Sequence, residues 1–302
     1  MPRKTIVAAL LLALLLAACG DGGEDGGPAD EAADTTSADE FEQSYTDVEA
    51  YPVFVSNELV VGPNRFVVGL LNDQDAPLAD PSIEMGVSFY DISGREPREV
   101  ASEDMEWVWI EEGQRGYYIG RVEFEQAGEL GAEVRLNGGG INEELRAKIK
   151  VAPESVTPGY GERPPPVDTP TLADVDKLQE ISTDTTPVRR FYEHSIADAL
   201  DRGQPSVVVF ATPKFCASAV CAPTLDKVQE VAPDYPKVSF VHVEPYDLDK
   251  IPDELVPVDA MLEWKLPSEP WVFVMDAKGK VVGKYEGVLG DDELRRDLDA
   301  AA

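Results

Sequence analysis

Six prolines lie within residues 153–170, and this segment limits what the chain can fold into more than any other. Proline fixes φ and has no backbone N–H, so a segment this rich in it, mixed with Gly159 and Gly161, favours an extended, semi-rigid spacer over a continued sheet. We therefore place a domain boundary at 153–170. A length of 302 residues is also what about two domains require.

Before the boundary, apolar and polar residues alternate in short runs separated by turn residues. Period-two alternation at this spacing predicts an antiparallel β-sandwich in which each strand buries one face. Residues 126–134 resemble the late hairpin of immunoglobulin-like domains in bacterial extracytoplasmic proteins, which implies an all-β, immunoglobulin-like sandwich over 50–152. Trp107 and Trp109 are interpreted as the core and rim of one strand. The alternating runs are 58–70, 85–90, 117–124, 132–136 and 145–151.

After the boundary, strand-like and helix-like segments alternate, which is the order of an α/β domain. Two cysteines, Cys216 and Cys221, stand between the first of these strands and the helix that follows it. Pro270 directly precedes a later strand. The helix-like segments are 195–200, 225–232, 260–262 and 292–298, and the strand-like segments are 206–211, 238–243, 271–275 and 281–285.

This order, together with Phe215-Cys216 and the position of Pro270, resembles the thioredoxin family over residues 171–302. The resemblance implies an α/β thioredoxin-like domain and therefore a multidomain chain, with an all-β sandwich first and an α/β domain second. It also implies a cis peptide bond before Pro270. The implied activity is thiol–disulfide exchange, in which Cys216 is the nucleophile, Cys221 is the resolving partner and Pro270 lies beside them.

A cysteine at the start of a helix suits this role chemically. Unpaired N–H groups and the helix dipole lower the pKa of such a thiol and raise its thiolate fraction. Cys216 is therefore the candidate nucleophile, and Lys214 is its candidate electrostatic helper. Cys221 would then close an intramolecular disulfide.

The chain departs from the thioredoxin pattern in two places. Four residues separate Cys216 from Cys221, where thioredoxins have two, and the strand at 207–210 has no titratable residue where thioredoxins keep a buried acid. Positions five apart on an ideal helix differ by about 7.5 Å along its axis, beyond the ~4.4–6.8 Å between the Cα atoms of a disulfide. The bond therefore needs a loop, which a helix starting at Pro223 would provide.

Other interpretations of the cysteine pair stay open. One is an inert staple in a non-enzymatic interaction protein. Another is a peroxidase, because Q-type peroxiredoxins have the same four-residue gap and Thr212-Pro213 resembles their active-site loop. Copper chaperones of the Sco type add a distal histidine, but we interpret His242 as a satisfied strand residue and His194 as solvent-facing or a cap. We expect no metal and no diffusible cofactor.

The N-terminus has the layout of an exported precursor. A short basic start precedes an apolar stretch at 6–18, which is too short to span a bilayer comfortably, and then Cys19. The sequence Leu-Ala-Ala-Cys-Gly ending at Gly20 resembles the lipobox of bacterial lipoproteins, which implies a signal peptide and lipobox over 1–19 with lipid on Cys19. Residues 20–49 have little to bury and are expected to form a disordered acidic tether.

The charge of the chain limits its partners. With 58 acidic and 26 basic residues the net charge is −32, which repels nucleic acid and anionic lipid headgroups. We expect an extracytoplasmic lipoprotein anchored to the membrane through Cys19, whose partners are thiols or disulfides of exported proteins. The expected segments are 1–19, 20–49, 50–152, 153–170 and 171–302.

Overall fold

The computed structural model of the protein describes residues 37–43, 45–216, 220–251 and 253–302. Thr36–Ala302 form one compact unit, which contains two β-sheets. Cys19 and the expected signal peptide at 1–19 lie outside the described residues, so the lipobox stays a prediction. Within the described ranges, no helix combines the length and the hydropathy that a membrane crossing needs.

The first sheet has seven strands, and every neighbouring pair in it is antiparallel. Its strands are β1 (Ala50–Phe54), β2 (Gly62–Asn72), β3 (Glu84–Asp91), β4 (Arg98–Glu111), β5 (Arg115–Phe124), β6 (Gly128–Gly138) and β7 (Ile141–Val151). They lie in the order β1-β2-β5-β4-β3-β6-β7. Alternate side chains point into one apolar core, in which Val87, Phe89 and Val134 are fully buried.

The immunoglobulin-like sandwich expected for 50–152 is wrong. A sandwich has two sheets face to face, whereas here β4, 14 residues long, pairs with β3 on one side and with β5 on the other. All seven strands therefore belong to one hydrogen-bonded sheet. A parallel bridge between Val60 and Ala152 joins the two ends of the strand order, so the sheet nearly closes around a single core.

Trp107 and Trp109 both belong to β4 and are half-buried. The two indole rings meet edge to face with centroids 5.1 Å apart, and the Trp107 ring lies 4.9 Å from that of Tyr118. The pair therefore packs within the first sheet, as the interpretation of one strand with a core and a rim required.

The second sheet has four strands in the order β11-β10-β8-β9. Strands β8 and β9 are parallel, and the other two pairs are antiparallel. The elements of this region are α1 (Ile196–Asp201), β8 (Ser206–Phe210), α2 (Cys221–Val231), β9 (Ser239–Val243), α3 (Asp259–Glu263), β10 (Trp271–Met275), β11 (Val281–Glu286) and α4 (Asp291–Ala301).

The α/β thioredoxin-like class expected for 171–302 is overturned as well. Helix makes up only 18% of the molecule, which is mostly β. The strands and helices occur where the sequence predicted them, but α1 has six residues and α3 has five. The segment before α1 adds only 3₁₀ turns, at Leu178–Glu180 and Arg189–Tyr192. Such short pieces do not build the helical layers of an α/β domain.

Strands β8, β9 and β10 are buried at every position. Alternate side chains contribute to two apolar clusters, so that Val207 and Val209 belong to one cluster and Val208 and Phe210 belong to the other. Continuous burial is typical of strands that are covered on both faces.

Helix α4 joins the two sheets through ion pairs. Arg65 and Arg121 are cross-strand partners on β2 and β5, and Glu293 and Asp297 are four residues apart on α4. Arg65 donates to both carboxylate oxygens of Glu293, at 2.8 and 2.9 Å, and these side chains are only 5% and 6% exposed. Arg121 donates to both oxygens of Asp297, at 3.1 and 2.9 Å.

The proline-rich segment lies against the second sheet. The N–H of Gly161 donates to the carbonyl of Val281 at 2.8 Å, and the N–H of Val281 donates back to the carbonyl of Glu162 at 2.9 Å. The indole Nε1 of Trp264 donates to the Pro165 carbonyl at 2.9 Å. The backbone of 153–170 is therefore extended, as its prolines require, and also forms part of the C-terminal packing.

The end of the acidic segment is folded. Ser37–Phe41 form a 3₁₀ helix whose last residue, Phe41, is buried against the ring of Tyr90, 5.4 Å between centroids. Gly131 on β6 makes room for it, because a Cβ at that position would lie 2.5 Å from the Phe41 ring. This contact attaches the start of the described chain to the first sheet.

Candidate functional site

Three strand ends of the second sheet meet at one edge. Phe210 at the end of β8 is opposite Val243 at the end of β9, and also opposite Trp271 at the start of β10. Residues that follow β8 and β9 or precede β10 therefore share this edge. The chemically reactive residues that the register gathers there are Cys216, Cys221, Glu244, Glu269 and Pro270.

Cys216 and Cys221 form a disulfide with their Cα atoms 6.0 Å apart. Helix α2 begins at Cys221, two residues earlier than a start at Pro223 would have it. Cys216 thus precedes the helix and Cys221 is its first residue, so the bond joins a loop to a helix start and avoids the span along a helix axis. The backbone N–H of Cys221 donates to the Cys216 Sγ at 3.3 Å.

The two sulfurs differ in access. Cys221 is fully buried, whereas Cys216 is half-buried. The N-terminus of an 11-residue helix carries partial positive charge, which favours a thiolate on the sulfur next to it. An incoming thiolate would therefore meet Cys216 first, and the amide of Cys221 is already placed against that sulfur.

Glu269 is a third group at the sulfurs. A carboxylate oxygen of Glu269 and the two Sγ atoms all lie within 4.8 Å of one another. The Tyr246 hydroxyl donates to Glu269 Oε2 at 2.6 Å. Burial and this hydrogen bond raise the pKa of Tyr246 to about 12, so the phenol stays protonated and holds the carboxylate in place.

A carboxylate at this distance opposes the helix. Negative charge nearby disfavours a thiolate, whereas the helix N-terminus favours it. In the part of the chain that the structure describes, these three residues are also the one cluster with three groups able to ligate a metal. After reduction, two thiolates and a carboxylate would be a donor set suited to a borderline-soft ion such as Zn²⁺.

The remaining residues predicted for the site fall into place around the disulfide. The Glu269–Pro270 peptide bond is cis, and the buried Pro270 accepts a hydrogen bond on its carbonyl from Gly287 at 2.9 Å. Lys214 is exposed, and its ammonium lies 5.3 Å from the centroid of the Phe215 ring.

His242 makes hydrogen bonds at both ring nitrogens. Its Nδ1 lies 2.7 Å from the Tyr192 hydroxyl, and its Nε2 lies 2.9 Å from the Ala211 carbonyl oxygen. Burial lowers the pKa of His242, so the ring is neutral. These contacts support a satisfied strand histidine. The other histidine, His194, is partly exposed just before Ser195, the residue that caps α1.

Comparisons with known proteins add little. No family model matches the chain, and no curated protein matches it. Two solved structures are similar to parts of it. A DUF4426 family protein from Pseudomonas aeruginosa PAO1 is 14% identical with a TM-score of 0.26, over 37% of this chain and 97% of its own. MtrC from Shewanella baltica OS185 is 12% identical with a TM-score of 0.25, over 38% of this chain and 24% of its own. At such scores neither likeness bears on fold or function.

Proposed function

We propose that the protein exchanges thiols and disulfides with exported partner proteins through Cys216 and Cys221. The observation that carries the proposal is the asymmetry of the disulfide, in which an accessible sulfur precedes a helix and a buried one begins it. The proposed location is outside the cytoplasm, with lipid on Cys19 as the membrane anchor. An oxidising compartment of this kind is where such a bond persists.

The exchange takes place in two steps. A thiolate of the partner attacks the Cys216 Sγ, the Cys216–Cys221 bond breaks, and Cys221 leaves as a thiolate that takes up a proton. A second thiolate of the partner then attacks the sulfur joined to Cys216. Cys216 leaves, and the partner holds the new disulfide. Two electrons pass from the partner dithiol to the cysteine pair, and the same steps in reverse reduce a partner disulfide.

Glu269 has a defined part in this exchange. Its carboxylate lies next to both sulfurs and is held by Tyr246, so it is placed to accept or return the proton of a thiol. Its charge also stabilises the neutral disulfide relative to a thiolate. The strand before the cysteines has no titratable group, and Glu269 supplies one from another strand end.

Trapping of partners tests the proposal. After reduction, Cys221→Ser should accumulate mixed disulfides with exported proteins through Cys216, because no resolving thiol remains to release them. The matched variant Cys216→Ser keeps only the buried thiol and should trap none. Non-reducing gels and mass spectrometry of whole cells report both results.

Alkylation of the reduced protein gives an independent measurement. The Cys216 thiolate should form below the ~8.5 of free cysteine, so iodoacetamide should react with it at mildly acidic pH and with Cys221 more slowly. Glu269→Gln removes a like charge and should shift the pH midpoint of this reaction down by roughly one unit. Glu263→Gln, an exposed residue of α3, should leave it unchanged.

The opposite outcome would identify an inert staple. In that case both thiols react only near or above the pH of free cysteine. The folded protein also keeps its disulfide in dithiothreitol until it unfolds. Either result, together with an empty trapping experiment for Cys221→Ser, contradicts thiol–disulfide exchange.

A further inference from the structure

A cavity of about 650 Å³ opens beside the disulfide edge of the second sheet. Its size falls within the range of about 300–1,000 Å³ that is usual for ligand sites. The end of β9, the loop that follows it and the start of α3 form one wall, and the segments at 167–170 and 174–181 form the other. It is separate from the disulfide itself.

The lining of this cavity carries one sign of charge. Seven carboxylate residues line it, and its described lining residues include no lysine or arginine. Walls of a single sign concentrate the field inside a cleft and attract ligands of the opposite sign. The seven are Asp168, Asp174, Glu180, Glu244, Asp247, Asp249 and Asp259.

Glu244 distinguishes this cavity from an ordinary acidic surface. The residue is 6% exposed, and its Oε1 accepts from the Thr183 N–H at 2.5 Å and from the Thr183 hydroxyl at 2.7 Å. Its other oxygen, Oε2, is buried and has no hydrogen-bond partner among the described residues. A buried carboxylate oxygen without a donor is costly. A cation in the cavity would satisfy it.

Two contacts connect the cavity with the disulfide. Tyr246 lines the cavity and donates through its hydroxyl to Glu269, the carboxylate next to both sulfurs. Thr183, which holds Glu244, accepts a hydrogen bond from the N–H of Lys214, two residues before Cys216. The cavity is therefore a neighbour of the reacting sulfur, at a distance that the residues flanking a bound cysteine can span.

The distribution of the carboxylates argues against a bare metal ion. The one group of three metal-capable side chains found in the described residues is the one at the disulfide, so the cavity acids do not converge on a point. A long cationic side chain suits spread carboxylates better, because its hydrogen-bond donors and its charge extend along the cavity.

We propose that this cavity binds a lysine or arginine side chain of the partner protein, placed near the partner cysteine that reacts with Cys216. The proposal rests on the exchange function above and adds a class of substrate to it. Glu244 supplies the buried counter-charge, and the other acids draw the basic segment to the site. Partners whose reacting cysteine has only acidic or neutral neighbours should be disfavoured.

Binding of peptides without a cysteine tests the cavity apart from the exchange. Two fluorescent Gly-Ser peptides carry serine where the cysteine would be, and one has arginine beside it where the other has glutamine. We expect the intact protein to bind the arginine peptide about tenfold more tightly, with the difference shrinking at high salt. Glu244→Gln should lose the preference, and the exposed Glu263→Gln should keep it.

A second variant covers the case in which Glu244→Gln does not fold. Asp168→Asn with Glu180→Gln changes two exposed cavity acids and should weaken the preference severalfold. Equal affinity of the intact protein for both peptides overturns the proposal. So does displacement of the arginine peptide by Ca²⁺ with no change in Glu244→Gln, because the acids would then act as a diffuse ion atmosphere.

The same peptides with cysteine restored separate the two proposals. If the arginine peptide binds preferentially but neither peptide forms a mixed disulfide, the cavity assignment stands and the exchange function fails. If both peptides exchange at equal rates and the serine peptides bind equally, exchange stands and the cavity assignment fails.

Discussion

The two sheets bury their strands in different ways. In the first sheet, β7 alternates, with Leu145, Ala147 and Ile149 buried and Lys150 exposed. In the second, β8 is buried at all five positions because apolar clusters cover both of its faces. The first sheet closes on its own core, whereas the second lies between two cores and leaves only its edges open.

This difference places the chemistry in the second region. A strand covered on both faces exposes its ends, and the ends of β8 and β9 carry the Cys216 loop and Glu244, while Glu269 precedes β10. Ligands of open sheets bind where strand ends meet in this way. The first sheet has no comparable edge, and its contribution is the arginines that hold α4.

The largest expected effect comes from breaking the contact between the two regions. Glu293→Gln leaves the guanidinium of Arg65 buried without its counter-charge, which should lower the free energy of unfolding by about 3–5 kcal/mol. Urea unfolding followed by tryptophan fluorescence measures it. The exposed neighbour Asp292→Asn is the control and should cost less than about 1 kcal/mol. A similar small loss for both variants would show that the two sheets do not depend on this pair.

Threonine substitutions test the contrast between strands directly. Val208→Thr and Val209→Thr each bury a hydroxyl on opposite faces of β8, so both should cost about 1–3 kcal/mol. In β7 the same change should be costly at Ile149 and should stay within about 0.5 kcal/mol at Lys150. If either valine variant is as stable as Lys150→Thr, one face of β8 is not covered as described.

Acid should weaken a second contact between the regions. Burial raises the pKa of Glu58, but hydrogen bonds from Lys284 on β11 and from Ser155 outweigh it and lower the pKa from 4.5 to about 2. Because the folded pKa is depressed, the stabilisation is complete above pH 4.5 and is lost as the pH falls towards 2.

Glu58→Gln should therefore flatten the loss of stability between these pH values. This is the smallest of the three effects, since solvent screens part of the interaction. Thermal unfolding at a series of pH values measures it. The exposed Glu106→Gln should keep the slope of the unchanged protein, and an equal slope for Glu58→Gln would contradict the assignment.

One missed strand explains why the fold of the first region was not predictable. The alternating runs found most of β2, β3, β5, β6 and β7, because each buries one apolar face. Strand β4 is rich in acids, and its one fully buried hydrophobic residue is Met105. It is also the strand that joins β3 to β5. Without it, one sheet is indistinguishable from two.

The site was predictable only where residue type alone indicates chemistry. Cys216 and Cys221 are identifiable from their spacing and position, and they do form a disulfide. Glu244, Tyr246 and Glu269 come from separate segments that only the register of β8, β9 and β10 brings together. The one local signal was an acid immediately before Pro270, in a chain where acids are too common for it to stand out.

The arginine pair on β2 and β5 and the acid pair on α4 also decide which copies can associate. Arg65 and Arg121 present two like charges side by side, and Glu293 and Asp297 present two of the opposite sign. If α4 detached, an exposed arginine pair on one molecule would repel the same pair on another. Two first sheets therefore cannot dimerise through this face, and a detached α4 finds its complement only on a first sheet.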